Sequence, residues 1–317
     1  MQEKGEKPLA SKRYDGTTWI DIVDPTKKDI EVLGRQYPFH PLNLEDCLSK
    51  RQQTRVEEHE NYLFITLNFP IYVNQGKFLV SRQISIFLGK DYLVTVHPSE
   101  VKFLSGMFLR TVDDDPHHDV LKRSSVDLLY HVLDRLVDEL FVLLNKISID
   151  IDEIEDKVFD EKMSAVVDVS RIRRQVADMR RIVSPLRGLI VDMNTKAQKF
   201  SAGDFSRYFN DVQDHIEKAW ETLVEAKETT EIYMDTDYVL STEVTNKILA
   251  LLTIVFTLSI PATVVGTIYG MNIPLPGGIQ TGSWTFLGPY TTLIVLLLIM
   301  IVPVVSMVWY FHRLGWI

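Results

Sequence analysis

The chain has 317 residues, 46% of them hydrophobic and 24% charged, with a formal net charge of -9. That length allows more than one domain, and the acidic balance argues against a nucleic-acid partner and for cations. No Asp, Glu, Lys or Arg lies between Lys247 and Arg313, so the first 247 residues hold all 43 acids and 33 of the 34 bases.

The N-terminal MQEKGEKPLASKRYDG is polar and has no apolar core of the kind a secretory signal carries. With one cysteine, Cys47, the chain cannot form an internal disulfide, which fits a reducing compartment. Both features predict a cytosolic soluble part. Residues 1–120 read as an α/β domain. Within it the strand-like runs YLFITLNF, QISIFLG and YLVTV are separated by turn residues such as Asn74-Gln75-Gly76. Residues 121–204 read as a helical hairpin, with long amphipathic helices over 125–160 and 164–197 and a bend expected at Pro185. A stalk helix is predicted over 205–247. It has no Pro or Gly after Phe205 and continues into the apolar segment that follows. The joined helix would be on the order of 90 Å long at a rise of 1.5 Å per residue.

Residues 248–268 and 287–311 are uncharged runs of 21 and 25 residues, and about 20 apolar residues span a bilayer. Core helices of a soluble protein seldom lack charge over both segments and their connection. The expected order is a first transmembrane helix over 248–272, an outer loop over 273–286, a second helix over 287–311 and a tail over 312–317. Lys247 and Arg313 flank the pair, so the positive-inside tendency puts both termini in the cytoplasm.

Asn246, Leu249, Thr253, Phe256, Ile260, Thr263 and Thr267 follow in steps of 3, 4, 3, 4, 3 and 4. That is a seam for helix packing. Its threonines prefer protein or water to lipid, unless they bond back to their own helix carbonyls. The second helix is uniformly aliphatic and suited to lipid. Two helices cannot enclose a pore, so a functional seam requires an oligomer.

The segment closes on TIYGMN, residues 267–272. Tyr269-Gly270-Met271-Asn272 at the end of the first of two C-terminal membrane helices resembles the CorA family of divalent-cation channels. Further matches are His40-Pro41-Leu42 with Glu45-Asp46, Tyr62-Leu63-Phe64, Asp134, Pro261, and Tyr208-Phe209 with Asp211, Asp214 and His215. The resemblance extends from about residue 18 to the end. It implies a funnel-shaped homopentamer, multi-pass in the inner or plasma membrane, with a cytosolic α/β domain and a long stalk helix leading into the pore. The cargo would be Mg2+, with Co2+ and Ni2+ as further ions. Neither an organic cofactor nor covalent chemistry is implied, so the protein is not expected to be an enzyme.

Mg2+ gives up water reluctantly. A ring of Asn272 amide oxygens could grip the hydrated ion through its water shell without holding it too tightly. Gly270 would allow a tight turn, and Tyr269 would sit at headgroup level. The plainer reading of Gly-Met-Asn is a helix C-cap. Carried over residue by residue, the family's pore face falls on Asn246, Leu249, Leu252, Phe256, Ile260, Thr263, Thr267 and Asn272. It agrees with the seam except that Leu252 stands for Thr253. Leu249, Leu252, Phe256 and Ile260 would form a hydrophobic constriction. Asp235 matches an acidic ring at the cytosolic entrance. Glu45, Asp46, Asp134 and Asp211 match positions of regulatory Mg2+ between subunits, where a filled site would hold the channel shut.

The sequence departs from the family in two places. The loop 273–286 has no acid, and the end, His312-Arg313-Leu314-Gly315-Trp316-Ile317, lacks a lysine run. These departures leave open a proton-coupled Zn2+ transporter on the same scaffold. A third reading is a metal sensor that the hairpin merely tethers. Asp113-Asp114-Asp115 with His117-His118 reads as a solvated loop, and the acids of 148–161 as a solvated helix face. Cys47 has no placed His partner and is a weak nucleophile candidate. A Walker A motif is absent, which argues against ATP-driven pumping.

Overall fold

The computed structural model describes residues 9–14, 16–49, 52–73, 78–110, 124–160, 163–201, 203–278, 281–288 and 290–315. Contacts divide the chain into two units between Thr236 and Asp237.

The first unit is built on six strands: β1 (Ser11–Tyr14), β2 (Thr17–Val23), β3 (Arg55–Glu58), β4 (Tyr62–Val73), β5 (Phe78–Gly89) and β6 (Tyr92–His97). They lie in the order β1-β2-β6-β5-β4-β3, with β2 and β6 parallel and the other pairs antiparallel. The three strand-like runs of the sequence are β4, β5 and β6, neighbours in the sheet, and β4 and β5, at 12 residues each, are its longest strands. Both sheet faces are covered, which is why β4 reads as a near-continuous apolar run broken only by Thr66 and Asn68. On one face Ile20, Ile22, Phe64, Phe87, Val94 and Val96 pack with Ile30 and Leu33 of α1 (Lys27–Gln36) and with Phe39. On the other, Leu63, Ile65, Leu67, Ile84, Ile86 and Leu88 share one core with α3 (Lys102–Arg110), α4 (Ser125–Val158) and α5 (Val166–Ala197). The hairpin and the sheet are therefore one packed body. A buried polar chain crosses the parallel pair. The Trp19 indole donates to Thr95 Oγ1 (3.1 Å), Thr95 donates to Asp21 Oδ1 (2.6 Å), and His97 Nε2 lies 3.1 Å from the same oxygen.

The hairpin helices match their predicted spans to within two residues, and α5 continues as a helix through Pro185. The helix α6 runs over Ser206–Gly270, with Pro261 inside it. In the first unit Phe209, Val212, Ile216, Ala219, Leu223 and Tyr233 form its buried stripe, at the 3-4 spacing that keeps one helix face inward.

The second unit holds the rest of α6, a connecting loop and α7 (Thr291–Arg313). Both helices are long and apolar enough to cross a membrane, and their apolar windows are only 6% buried within the chain.

The turn expected at residues 74–76, the cluster at Asp113–His118 and the last two residues of the tail lie outside the described residues.

Candidate metal site and pore face

A short helix, α2 (Pro41–Asp46), carries the HPLNLED motif. His40 caps it through Nδ1, which accepts from Leu42 N at 3.3 Å, and Pro41 takes the first helical turn. Buried Asn43 donates to Glu57 Oε2 (2.7 Å), and Tyr62 Oη accepts from His40 N (2.9 Å). These bonds tie the start and middle of α2 to β3 and β4, and Glu45 and Asp46 close the helix. There Glu45 is exposed, whereas Asp46 is already engaged. Asp46 accepts from Arg55 Nη2 at 2.6 Å and from Gln52 Nε2 at 2.8 Å.

Asp134 and Asp211 come together. Asp134 stands on α4 and Asp211 on α6, and with His215, one turn further along α6, their donor atoms lie within 4.8 Å of one another. Glu45 and Asp46 are not part of that group. Burial, then the nearby carboxylates of Asp138 and Asp211, raise the Asp134 pKa above its ordinary value. Burial, then Asp134 and Asp211, push the Tyr130 hydroxyl up to about 12. A negative, partly desolvated pocket with two carboxylates and an imidazole can bind a divalent cation. Asp134 also lies on the wall of a cleft of about 780 Å3 between β4, α3 and α4, whose lining does not include Asp211 or His215. The sequence reading passed over His215 as a ligand. The available signal was its i, i+4 spacing from Asp211, which puts both side chains on one helix face.

The residues expected on a pore face, Asn246, Leu249, Leu252, Phe256, Ile260, Thr263 and Thr267, are all exposed on the isolated chain, Phe256 at 67%. The seam threonines bond back to their own helix. Thr253 donates to Leu249 O (2.7 Å), Thr263 to Ser259 O (2.9 Å) and Thr267 to Thr263 O (2.7 Å). Their protons are thus satisfied, and the threonines alone do not demand a partner helix. The hydroxyl oxygens keep a free lone pair. Asp235 is exposed on α6.

Gly270 is the last residue of α6 and has no positive φ; the left-handed glycines of the connection include Gly277 (φ 78°), Gly282 (φ 87°) and Gly288 (φ 106°). Gly-Met-Asn is therefore not a left-handed glycine C-cap. Met271 N donates to Ile268 O (3.2 Å) and tightens the final turn, and Asn272 is exposed just beyond. The loop is tied on both sides. Tyr269 Oη donates to Pro276 O (3.2 Å), and a Cβ on Gly277 would lie 3.1 Å from the Trp284 ring. Trp284 N and Leu287 N donate to the hydroxyls of Thr292 and Thr291, each at 2.9 Å.

The chain matches the family model described as "CorA-like Mg2+ transporter protein" over residues 14–313. The cobalt/magnesium transport protein CorA of Thermotoga maritima is 29% identical, covering 95% of this chain and 83% of that protein. The solved CorA magnesium transporter from Methanocaldococcus jannaschii has the same fold, with a TM-score of 0.80 at 22% identity, covering 95% of this chain and 92% of that one. The zinc transport protein ZntB of Pectobacterium atrosepticum is 23% identical over 60% of this chain and 55% of its own.

Proposed function

Because the chain belongs to the CorA-like Mg2+ transporter family, a family of membrane divalent-cation transporters, we propose that it is a homo-oligomeric channel for Mg2+ influx. It resides in the cell's inner or plasma membrane with both termini cytoplasmic. Co2+ and Ni2+ would be further cargo. The observation that carries this reading is the exposed, charge-free face of α6 that ends beside Asn272. In a ring of copies, Asn272 amides supply neutral acceptors to the water shell of the ion. Leu249, Leu252, Phe256 and Ile260 then form a narrow apolar passage that closes by dewetting, and Asp235 draws cations to its inner end.

Regulation is proposed at Asp134, Asp211 and His215, with Glu45 and Asp46 contributed by a neighbouring copy. The empty site gathers like charges, and a bound divalent ion cancels their repulsion and draws the copies together. Rising internal Mg2+ thus closes the channel. For Asp46 to take part, the ion must compete with Arg55 for its carboxylate.

Two observations favour Zn2+ as a second reading. The outer loop has no acid, and an imidazole in the ligand group suits Zn2+, Co2+ or Ni2+ better than Mg2+. Flux into proteoliposomes with Mg2+, Co2+, Ni2+ and Zn2+, with and without a proton gradient, separates the two. Mg2+ uptake independent of the gradient is expected. Proton-dependent Zn2+ uptake without Mg2+ uptake overturns the Mg2+ assignment.

A further inference from the structure

We propose that the outer face of α4 in one copy packs against the outer face of α5 in the next. This head-to-tail contact joins the copies around α6 and rests on the homo-oligomer proposed above. The faces of α6 within the first unit give the geometry. Opposite its buried stripe, Asp211, Asp214, Glu221, Glu225, Glu228 and Asp235 are all exposed, on one face that keeps the 3-4 register of the pore seam. α4 lies along one flank of this face, with Phe141 against His215 and Phe159, just beyond its end, against Tyr233. α5 lies along the other, with Arg187 paired to Glu217 and Arg180 over the Trp220 ring. If the acidic face looks toward a symmetry axis, α4 and α5 look sideways, in opposite directions around the ring.

Each of those helices carries an exposed seam in strict 3-4 steps. The α4 seam is Val142, Asn145, Ile149, Asp152, Asp156 and, past the last turn, Phe159. That of α5 is Val167, Ser170, Arg174, Ala177, Arg181 and Ser184. The first has acids and no base, the second bases and no acid. Among the described residues Asp152, Asp156 and Arg174 have no ion-pair partner.

The helices are antiparallel, and the Lys157–Asp168 ion pair (3.0 Å) fixes which residues are level. Counting outward from it, Asp152 is level with Arg174 to within one residue. Likewise Asn145 is level with Arg181, Ile149 with Ala177, Asp156 with Ser170, and Phe159 with Val167. Rotation about an axis parallel to the hairpin preserves height, so these level residues are the ones that meet. Asp faces Arg, an amide faces Arg, and apolar faces apolar. The small residues on α5 permit a close helix approach. At one height, Phe159 is 57% exposed beyond its edge contact with Tyr233, and Val167 is 80% exposed. The two patches differ and lie on different sides, so the contact is heterologous and builds rings rather than two-fold dimers.

The test uses the full-length protein in mild detergent. Cys47 is buried, with its thiol pushed up to about 12, so it stays silent under oxidation. The double variant Asp152→Cys/Arg174→Cys should form a ladder of disulfide-linked copies. Each single variant alone should stay uncrosslinked, and a co-expressed pair of single variants should stop at dimers. Arg174→Asp should weaken the oligomer, and adding Asp152→Arg should restore it. An oligomer of native mass that forms no intermolecular disulfide overturns the contact and leaves the channel reading intact. Self-crosslinking single variants overturn it in favour of a two-fold interface. A wild-type monomer overturns both readings together.

Discussion

At the scale of single residues, the tested chemistry is oxygen and imidazole ligation. Asn272→Ala should reduce Mg2+ uptake to background while native mass is kept, because the amide is exposed and supports no packing. Normal flux from the assembled variant would remove Asn272 from the filter. At the metal group, the raised Asp134 pKa means the folded protein favours the protonated acid. Its contribution to stability is therefore present at low pH and lost as pH rises through the raised value. A bound cation removes that cost and expels the proton. Co2+ binding, followed by calorimetry, should release protons and fail on acidification while ordinary carboxylates are still ionised. Asp138→Asn takes away a neighbouring charge and should move the midpoint to lower pH. An unmoved midpoint would show that another group controls binding. Asp211→Asn should weaken Co2+ by about tenfold or more, roughly 1.4 kcal/mol. Asp134 and Asp211 were legible only through family likeness, since 77 positions separate them in the chain. His215 had a local signal in its i, i+4 spacing from Asp211, whereas its nearness to Asp134, on another helix, had none.

At the scale of elements, legibility followed burial. β4 was plain because both of its faces are covered. β2 was missed because Asp21 breaks its apolar run, and that charge is satisfied inside by His97 and Thr95. β3, Arg-Val-Glu-Glu, is an edge strand whose polar side chains carry no strand pattern. The tie between Gly277 and Trp284 in the α6–α7 connection was also invisible, since it depends on a positive φ. Gly277→Ala combines a left-handed alanine, about 1–2 kcal/mol, with a Cβ pressed on the indole. A lower thermal midpoint of the detergent-solubilised protein is expected, with Gly270→Ala as the control. Gly270 has no positive φ, and its Cβ meets nothing within 4 Å in the chain. Equal midpoints would mean that the indole contact contributes little.

At the scale of the whole molecule, the proposed closure by Mg2+ depends on carboxylates from different elements acting together. Asp46→Asn with Asp211→Asn should abolish closure by internal Mg2+, read as flux that no longer falls as internal Mg2+ rises. Arg55→Ala should act in the opposite sense, because it frees Asp46 from its 2.6 Å partner. Closure is then expected at lower internal Mg2+. If both variants close at the wild-type concentration, Asp46 is not part of the sensor. The two-part organisation was legible from charge alone, whereas the shared core of sheet and hairpin was not, because its contacts join distant stretches of chain. The charge-free stretch has a practical consequence. Trypsin cleaves after lysine and arginine, and it meets neither between Lys247 and Arg313. Complete digestion of the membrane-bound protein should therefore leave both apolar helices and their connection on a single peptide, Ile248 to Arg313, whose mass reports directly on any substitution made in the helices or the connection.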